Sequence, residues 1–219
     1  MPRPLIATLI LIVTLTHVSV PLAAQTQTGW ALTPYSSWTD SPFTNILFSY
    51  FHLEDFEEGR IIVPGVRMHR GPQILGDKAR QTRFVDSVDE DDGAVDGSGS
   101  TGHSVWSADH ATIRFSFDAD LLCGLPTHVG VVWTDAAAAR NAVGTLSAFD
   151  TSGVRLAEVH TVLQADSVIT GTVSEDTFLG VHAPEGIAEV RLSNRLFNFE
   201  IDHLQFGRDC GGQPCEACE

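Results

Sequence analysis

Residues Thr112–Phe117 read TIRFSF, with Ile113, Phe115 and Phe117 on one side and Thr112, Arg114 and Ser116 on the other. Ala188–Ser193 repeats the pattern, setting Ala188, Val190 and Leu192 against Glu189, Arg191 and Ser193. A period of two is the signature of a strand with one buried face. Further short β-type runs are Ile46–Leu53, His128–Trp133, Gly144–Phe149, Arg155–Leu163, Ser167–Val173, Phe178–His182 and Phe199–Phe206. Turn chemistry separates them, as in Asp150-Thr151-Ser152-Gly153 and Pro184-Glu185-Gly186. No segment keeps apolar residues at helical spacing over three turns, and Asp135–Asn141 (DAAAARN) offers at most one helical turn. Strands this short at this spacing predict an all-β fold, an antiparallel sandwich or jelly roll.

One strand carries its own irregularity. In Phe199–Phe206, Phe199 and Ile201 share one parity while Leu204 and Phe206 share the other. A single register shift near Asp202-His203, a β-bulge, would bring all four to one face.

The first residues address compartment. Arg3 precedes an apolar run, Leu5–Val13, and Pro21 stands before the small pair Ala23-Ala24. That is the layout of an export signal over residues 1–24, and the run of about ten residues falls short of the roughly 20 that span a bilayer. Residues 25–44 are polar, contain Pro34 and Pro42 and show no period, so they are expected to form a loose lead-in to a domain over 45–207. Residues 208–219 form a tail with Cys210, Cys215 and Cys218, and Cys123 stands alone in the domain. In an oxidising compartment two disulfides suit these four cysteines better than a metal knuckle, for which a fourth local ligand is missing. Four cysteines allow three pairings, and the spacing does not choose among them.

Charge narrows the partners. The 219 residues hold 13 Lys and Arg against 28 Asp and Glu, a net charge of −15 with neutral His. Without residues 1–24 the chain keeps 12 basic and the same 28 acidic residues. Nucleic acid and anionic membrane surfaces are therefore disfavoured, since both are held by clustered Lys and Arg. Cations, polar solutes and neutral ligands suit such a chain.

Two acidic regions are candidate cation sites. Asp86–Asp96 (DSVDEDDGAVD) places Asp86, Asp89, Asp91 and Asp96 among six carboxylates in eleven residues, and a Gly/Ser-rich stretch follows. Calcium takes six to eight oxygens from such loops, yet the spacing fails the EF-hand pattern, and a solvated acidic loop is the competing reading. The second region joins Glu54 and Asp55, after the first strong strand, to Glu200 and Asp202 on the last. Carbonyls released by a bulge beside Asp202 would suit a hard cation, whereas an ordinary Asp202 would face solvent or pair with an Arg.

No catalytic signature emerges. There is no G-x-S-x-G and no H-E-x-x-H, the nine His are scattered with none paired on one element, and carboxylate pairs such as Asp135 with Glu175 or Asp176 are easy to nominate among so many acids. Binding is better supported. Trp106, Trp133 and Phe178 stand near Asp135, Glu175 and Asp176, the mixture of aromatic face and carboxylates that holds a sugar. Trp133 ends an apolar strand and is expected in the core, leaving Trp106, flanked by Ser104 and Ser107, as the freer ring.

Several of these segments together resemble a family of exported bacterial jelly-roll proteins, many of which carry a C-terminal sorting anchor. The segments are Leu53–Glu57, Asp86–Asp89 through Asp96–Gly99, Leu125–Asp135, Glu175–Val181 and Glu200–Gly207, within residues 45–207. Their order is also similar to the galactose-binding-like jelly rolls, which include many carbohydrate-binding modules. The resemblance implies a structural calcium joining Glu54 or Asp55 to Asp202, and a secreted domain whose partner is a carbohydrate. A structural or adhesion domain contacting other proteins is the alternative, and a hydrolase with a shallow carboxylate site is a more distant one. The chain departs from the anchored members by ending in a Cys-rich segment where they carry a sorting tail.

Overall fold

The computed structural model describes residues 29–75, 102–107, 112–136, 142–163, 175–194 and 198–212. Within them lie strands β1 (Gly29–Leu32), β2 (Phe48–Glu54), β3 (Val66–Met68), β4 (Gln73–Leu75), β5 (Ser104–Ser107) and β6 (Ile113–Phe117). They are followed by β7 (His128–Ala136), β8 (Val143–Phe149), β9 (Arg155–Val162), β10 (Thr177–His182), β11 (Glu189–Asn194) and β12 (Phe199–Asp209). All pair antiparallel in two sheets. The larger runs β1-β10-β7-β12-β5-β4, with β2 also on β12, and the smaller runs β3-β6-β11-β8-β9. The chain is an all-β antiparallel sandwich of the jelly-roll class.

The two alternating segments seen in the sequence become neighbouring strands of the smaller sheet. Ile113, Phe115 and Phe117 of β6 and Val190 and Leu192 of β11 are buried against Val129, Val131, Leu179, Val181, Phe199, Ile201, Leu204 and Phe206 of the larger sheet. Trp133 is 2% exposed and stacks on Phe199 at 4.3 Å, in the core as its apolar strand implied.

β12 crosses the centre of the larger sheet, and its register against β7 slips between Asp202 and Gln205, where His203 takes a φ of +48°. This is the irregularity that the change of parity required. The slip turns Leu204 and Phe206 to the side already occupied by Phe199 and Ile201, so one strand fills the core along its whole length.

Residues 29–44 correct the expectation of a loose lead-in. β1 pairs with β10, and the segment after it forms two short 3-10 helices, Trp38–Asp40 and Pro42–Asn45, the first closed by a capping box between Ser37 and Asp40. Its aromatic residues cover the second face of the larger sheet: Tyr35 and Phe43 are buried with Val132 and Phe178. Gln205 on β12 fastens the segment, donating from Nε2 to Tyr35 Oη at 2.9 Å and accepting from Ser41 Oγ at 2.7 Å. The stretch lacks a period because it packs as irregular chain through single aromatic side chains.

Of the remaining expected elements, Ser167–Val173 and Ala137–Asn141 lie outside the described residues, while Asp135 and Ala136 extend β7. Strands β3, β4 and β5, of three or four residues each, are too short to show a period.

Candidate functional site

Antiparallel register sets Gln73 of β4, Trp106 of β5, Glu200 of β12 and Asp135 of β7 in one row at one end of the larger sheet. Directly opposed residues share a face, so Trp106, half-buried, stands beside the fully buried Glu200. Ser104 Oγ donates to Glu200 Oε1 from two residues along β5. Glu175 and Asp176 come to the same end, immediately before β10, whose Thr177 opposes Trp133. Both acids are buried, at 6% and 1% exposure. Their backbones are engaged as well: Asp176 O accepts from Tyr35 N at 2.9 Å, and Glu175 O accepts from Thr177 Oγ1 at 3.0 Å.

Trp106, Asp135, Glu175 and Asp176 therefore lie on strands or strand approaches at one end of the larger sheet, and strand order adds Glu200 and Gln73 to the row of Trp106. The structure removes two of the three aromatic candidates. Trp133 is in the core, and Phe178, fully buried, stacks with Tyr35 at 5.8 Å over Gly130 and Gly180. Trp106 remains the accessible ring at this end.

Of the cation candidates, Asp86, Asp89, Asp91 and Asp96 lie outside the described residues. Glu54 closes β2 opposite Leu204 and is 1% exposed. Its Oε1 accepts from Phe56 N at 3.2 Å, and its Oε2 accepts from Ile62 N at 2.9 Å and Val63 N at 3.2 Å. Burial pushes its carboxyl above the usual carboxylate range, a rise that the three N–H donors oppose without cancelling. Carboxylate oxygens of Glu54, Asp55 and Glu58 lie within 4.8 Å of one another, a hard donor set of the type calcium takes. With Glu54 holding the 56–63 loop, Asp55 and Glu58 are the oxygens with most room for an ion. Asp202 is fully buried two residues before Leu204, its Oδ1 accepting from His203 N at 2.7 Å, and it is not part of that carboxylate group. Glu57 ties the same loop to the approach of β5, accepting from His103 N at 2.6 Å.

Neither Cys123 nor Cys210 is a free thiol; Cys215 and Cys218 lie outside the described residues. The segment after Cys123 is tied to the end of β12 by Thr127 N donating to Gly207 O at 2.9 Å and Arg208 Nη1 donating to Leu125 O at 2.9 Å.

A charged cluster on the smaller sheet is not legible from residue spacing. Arg191 and Arg114 oppose each other on β11 and β6 and converge on Glu189, at 2.5 Å and 2.6 Å, with His69 at 3.7 Å. Burial alone would raise the Glu189 carboxyl, but its hydrogen bonds to the two guanidinium groups prevail and lower it. A second group, His128, His182 and Asp209, gathers at the opposite end of the larger sheet from Trp106.

No family profile matches the chain, and no curated protein does. Solved structures similar to it include the K2 cleaved adhesin domain of Lys-gingipain, at 13% identity and a TM-score of 0.45, covering 72% of this chain and 99% of that one. A family 6 carbohydrate-binding module is similar at 12% identity and a TM-score of 0.36, covering 73% and 95%. The CBM22-1 xylan-binding domain of Paenibacillus barcinonensis Xyn10C is similar at 14% identity and a TM-score of 0.35, covering 74% and 94%.

Proposed function

We propose that the chain is a secreted β-sandwich binding domain that takes a carbohydrate at the Trp106 end of its larger sheet. The observation that carries this reading is the row Gln73–Trp106–Glu200–Asp135, in which an accessible indole stands beside a carboxylate. A pyranose presents an apolar face, which stacks on an aromatic ring, and a rim of hydroxyls, which need nearby acceptors and donors. Trp106 supplies the face. Gln73, exposed at the next position of the row, supplies an amide that both donates and accepts. Glu200, fully buried and hydrogen-bonded by Ser104, fixes the polar backing of the row. Glu175 and Asp176, being buried, shape the floor of this end and leave hydroxyl contact to the residues above them.

Calcium belongs to the same reading as a structural ion, with Asp55 and Glu58 as its protein ligands beside Glu54. Disulfides holding the Cys-rich tail to the domain near Cys123 complete it.

Glycan-array or insoluble-polysaccharide binding tests the proposal. Wild-type protein should retain a defined class of glycan, and Trp106→Ala should lose it while keeping the thermal midpoint. Silence across glycans, or binding that survives Trp106→Ala, would exclude carbohydrate recognition at this end. The adhesion reading draws support from one observation, the opposed pair Val143 and Val162 on β8 and the outer strand β9, 42% and 53% exposed. Concentration-dependent self-association abolished by Val162→Lys would favour it.

A further inference from the structure

The strand order brings together two histidines that lie far apart in the sequence. His128 opens β7 and His182 ends β10, and they are partners in the antiparallel register. Their rings stack with centroids 4.3 Å apart and planes 21° from parallel. Asp209, the last residue of β12, reaches the same place: a ring nitrogen of each histidine and a carboxylate oxygen of Asp209 all lie within 4.8 Å of one another. His128 is 5% exposed, while His182 and Asp209 are partly open to solvent, so the group has a dry back and an accessible mouth. Phe48, Phe43 and Trp30 form the back, their ring centroids 5.4, 5.6 and 5.8 Å from that of His128.

Thr127 organises the set. Its hydroxyl donates its one proton to Asp209 Oδ1 at 3.1 Å, and the same oxygen accepts from Asp209 N at 3.0 Å. The 3.0 Å contact between Thr127 Oγ1 and His128 Nδ1 must therefore have the imidazole as donor. That assigns the neutral tautomer of His128 and leaves the lone pair on Nε2. A ligand histidine is ordinarily oriented in this way, its second nitrogen donating to a neighbouring oxygen.

We propose that His128, His182 and Asp209 form a binding site for a divalent transition-metal ion of the zinc class. Two imidazoles and one carboxylate suit zinc, copper or nickel; calcium and magnesium prefer oxygen alone. Tetrahedral zinc at 2.0–2.1 Å from nitrogen sets its donors roughly 3.4 Å apart, a spacing that donors already within 4.8 Å of one another reach by small side-chain rotations. Three protein ligands leave the fourth position to solvent at the open side. The site is separate from the Trp106 end of the sheet and independent of the carbohydrate reading.

Isothermal titration of the purified protein with zinc, and cobalt(II) absorption as a spectroscopic probe, test the proposal. One metal ion per chain is expected, with cobalt d–d bands of a low-coordinate nitrogen and oxygen site. Calcium should not displace it. His182→Ala and Asp209→Asn, both at partly exposed positions, should each weaken zinc by more than about tenfold, and Thr127→Val by about 10–100-fold as the orienting bonds are lost. Circular dichroism and the metal-free thermal midpoint of each variant separate loss of the ion from loss of the fold. Absence of binding at micromolar zinc, or affinity unchanged in both His182→Ala and Asp209→Asn, would overturn the assignment.

Discussion

His128 and His182 stack across β7 and β10 at 4.3 Å, so a proton taken up by the buried His128 would place a positive charge against the neighbouring ring. For His128, burial comes first and the His182 ring second in lowering the pKa from 6.5 to about 4, and Asp209 opposes both only in part. Between these values the unfolded chain binds a proton that the folded chain refuses, so stability rises with pH across that window. The contribution is complete above 6.5 and is lost as the pH falls toward 4. A full shift of this size corresponds to about 3 kcal/mol. Urea midpoints measured from neutral pH down to pH 4 should fall along this slope, and His128→Gln should flatten it.

Gly130 illustrates a packing demand that no charge argument touches. A Cβ built there would stand 2.3 Å from Cζ of the Phe178 ring and 3.2 Å from Phe43. Gly130→Ala should lower stability by about 1–3 kcal/mol through overpacking. Trimming the ring in a Gly130→Ala/Phe178→Leu double variant should recover part of the loss in denaturant titrations; strict additivity of the two losses would refute the steric account.

Glu54 holds a loop through three backbone donors, on Phe56, Ile62 and Val63. Glu54→Gln puts an amide NH2 against at least one of those N–H groups inside a buried site. The expected cost is about 1–3 kcal/mol. Hydrogen exchange should show amides 62 and 63 losing protection first, and uniform exchange across the domain would contradict the local role.

Calcium has a direct thermal test. Binding to the folded state adds about 2.7 kcal/mol at a hundredfold excess over Kd, a rise of several degrees in a domain of this size. Melting in EDTA and then in millimolar calcium should show that rise, and Asp55→Asn with Glu58→Gln should abolish it. An Asp202→Asn variant that abolishes it instead would move the ion to the bulge of β12. No rise in the wild type would remove calcium from the proposed function.

Much of this protein follows from its sequence because a period of two reports which side chains share a face. Thr112–Phe117 and Ala188–Ser193 declare two core strands, and the broken parity of Phe199–Phe206 declares the register slip near His203. The buried Trp133 was equally legible from its apolar strand. Periodicity is silent about which strand lies beside which, since pairing depends on loop closure and on packing between distant segments. Only the tertiary structure could seat Tyr35 on Gln205, set Trp106 beside Glu200, and turn the scattered histidines at 128 and 182 into a stacked pair with Asp209. The alternation of residues along a chain determines its faces; the order of strands, fixed by long-range burial, determines what those faces hold together.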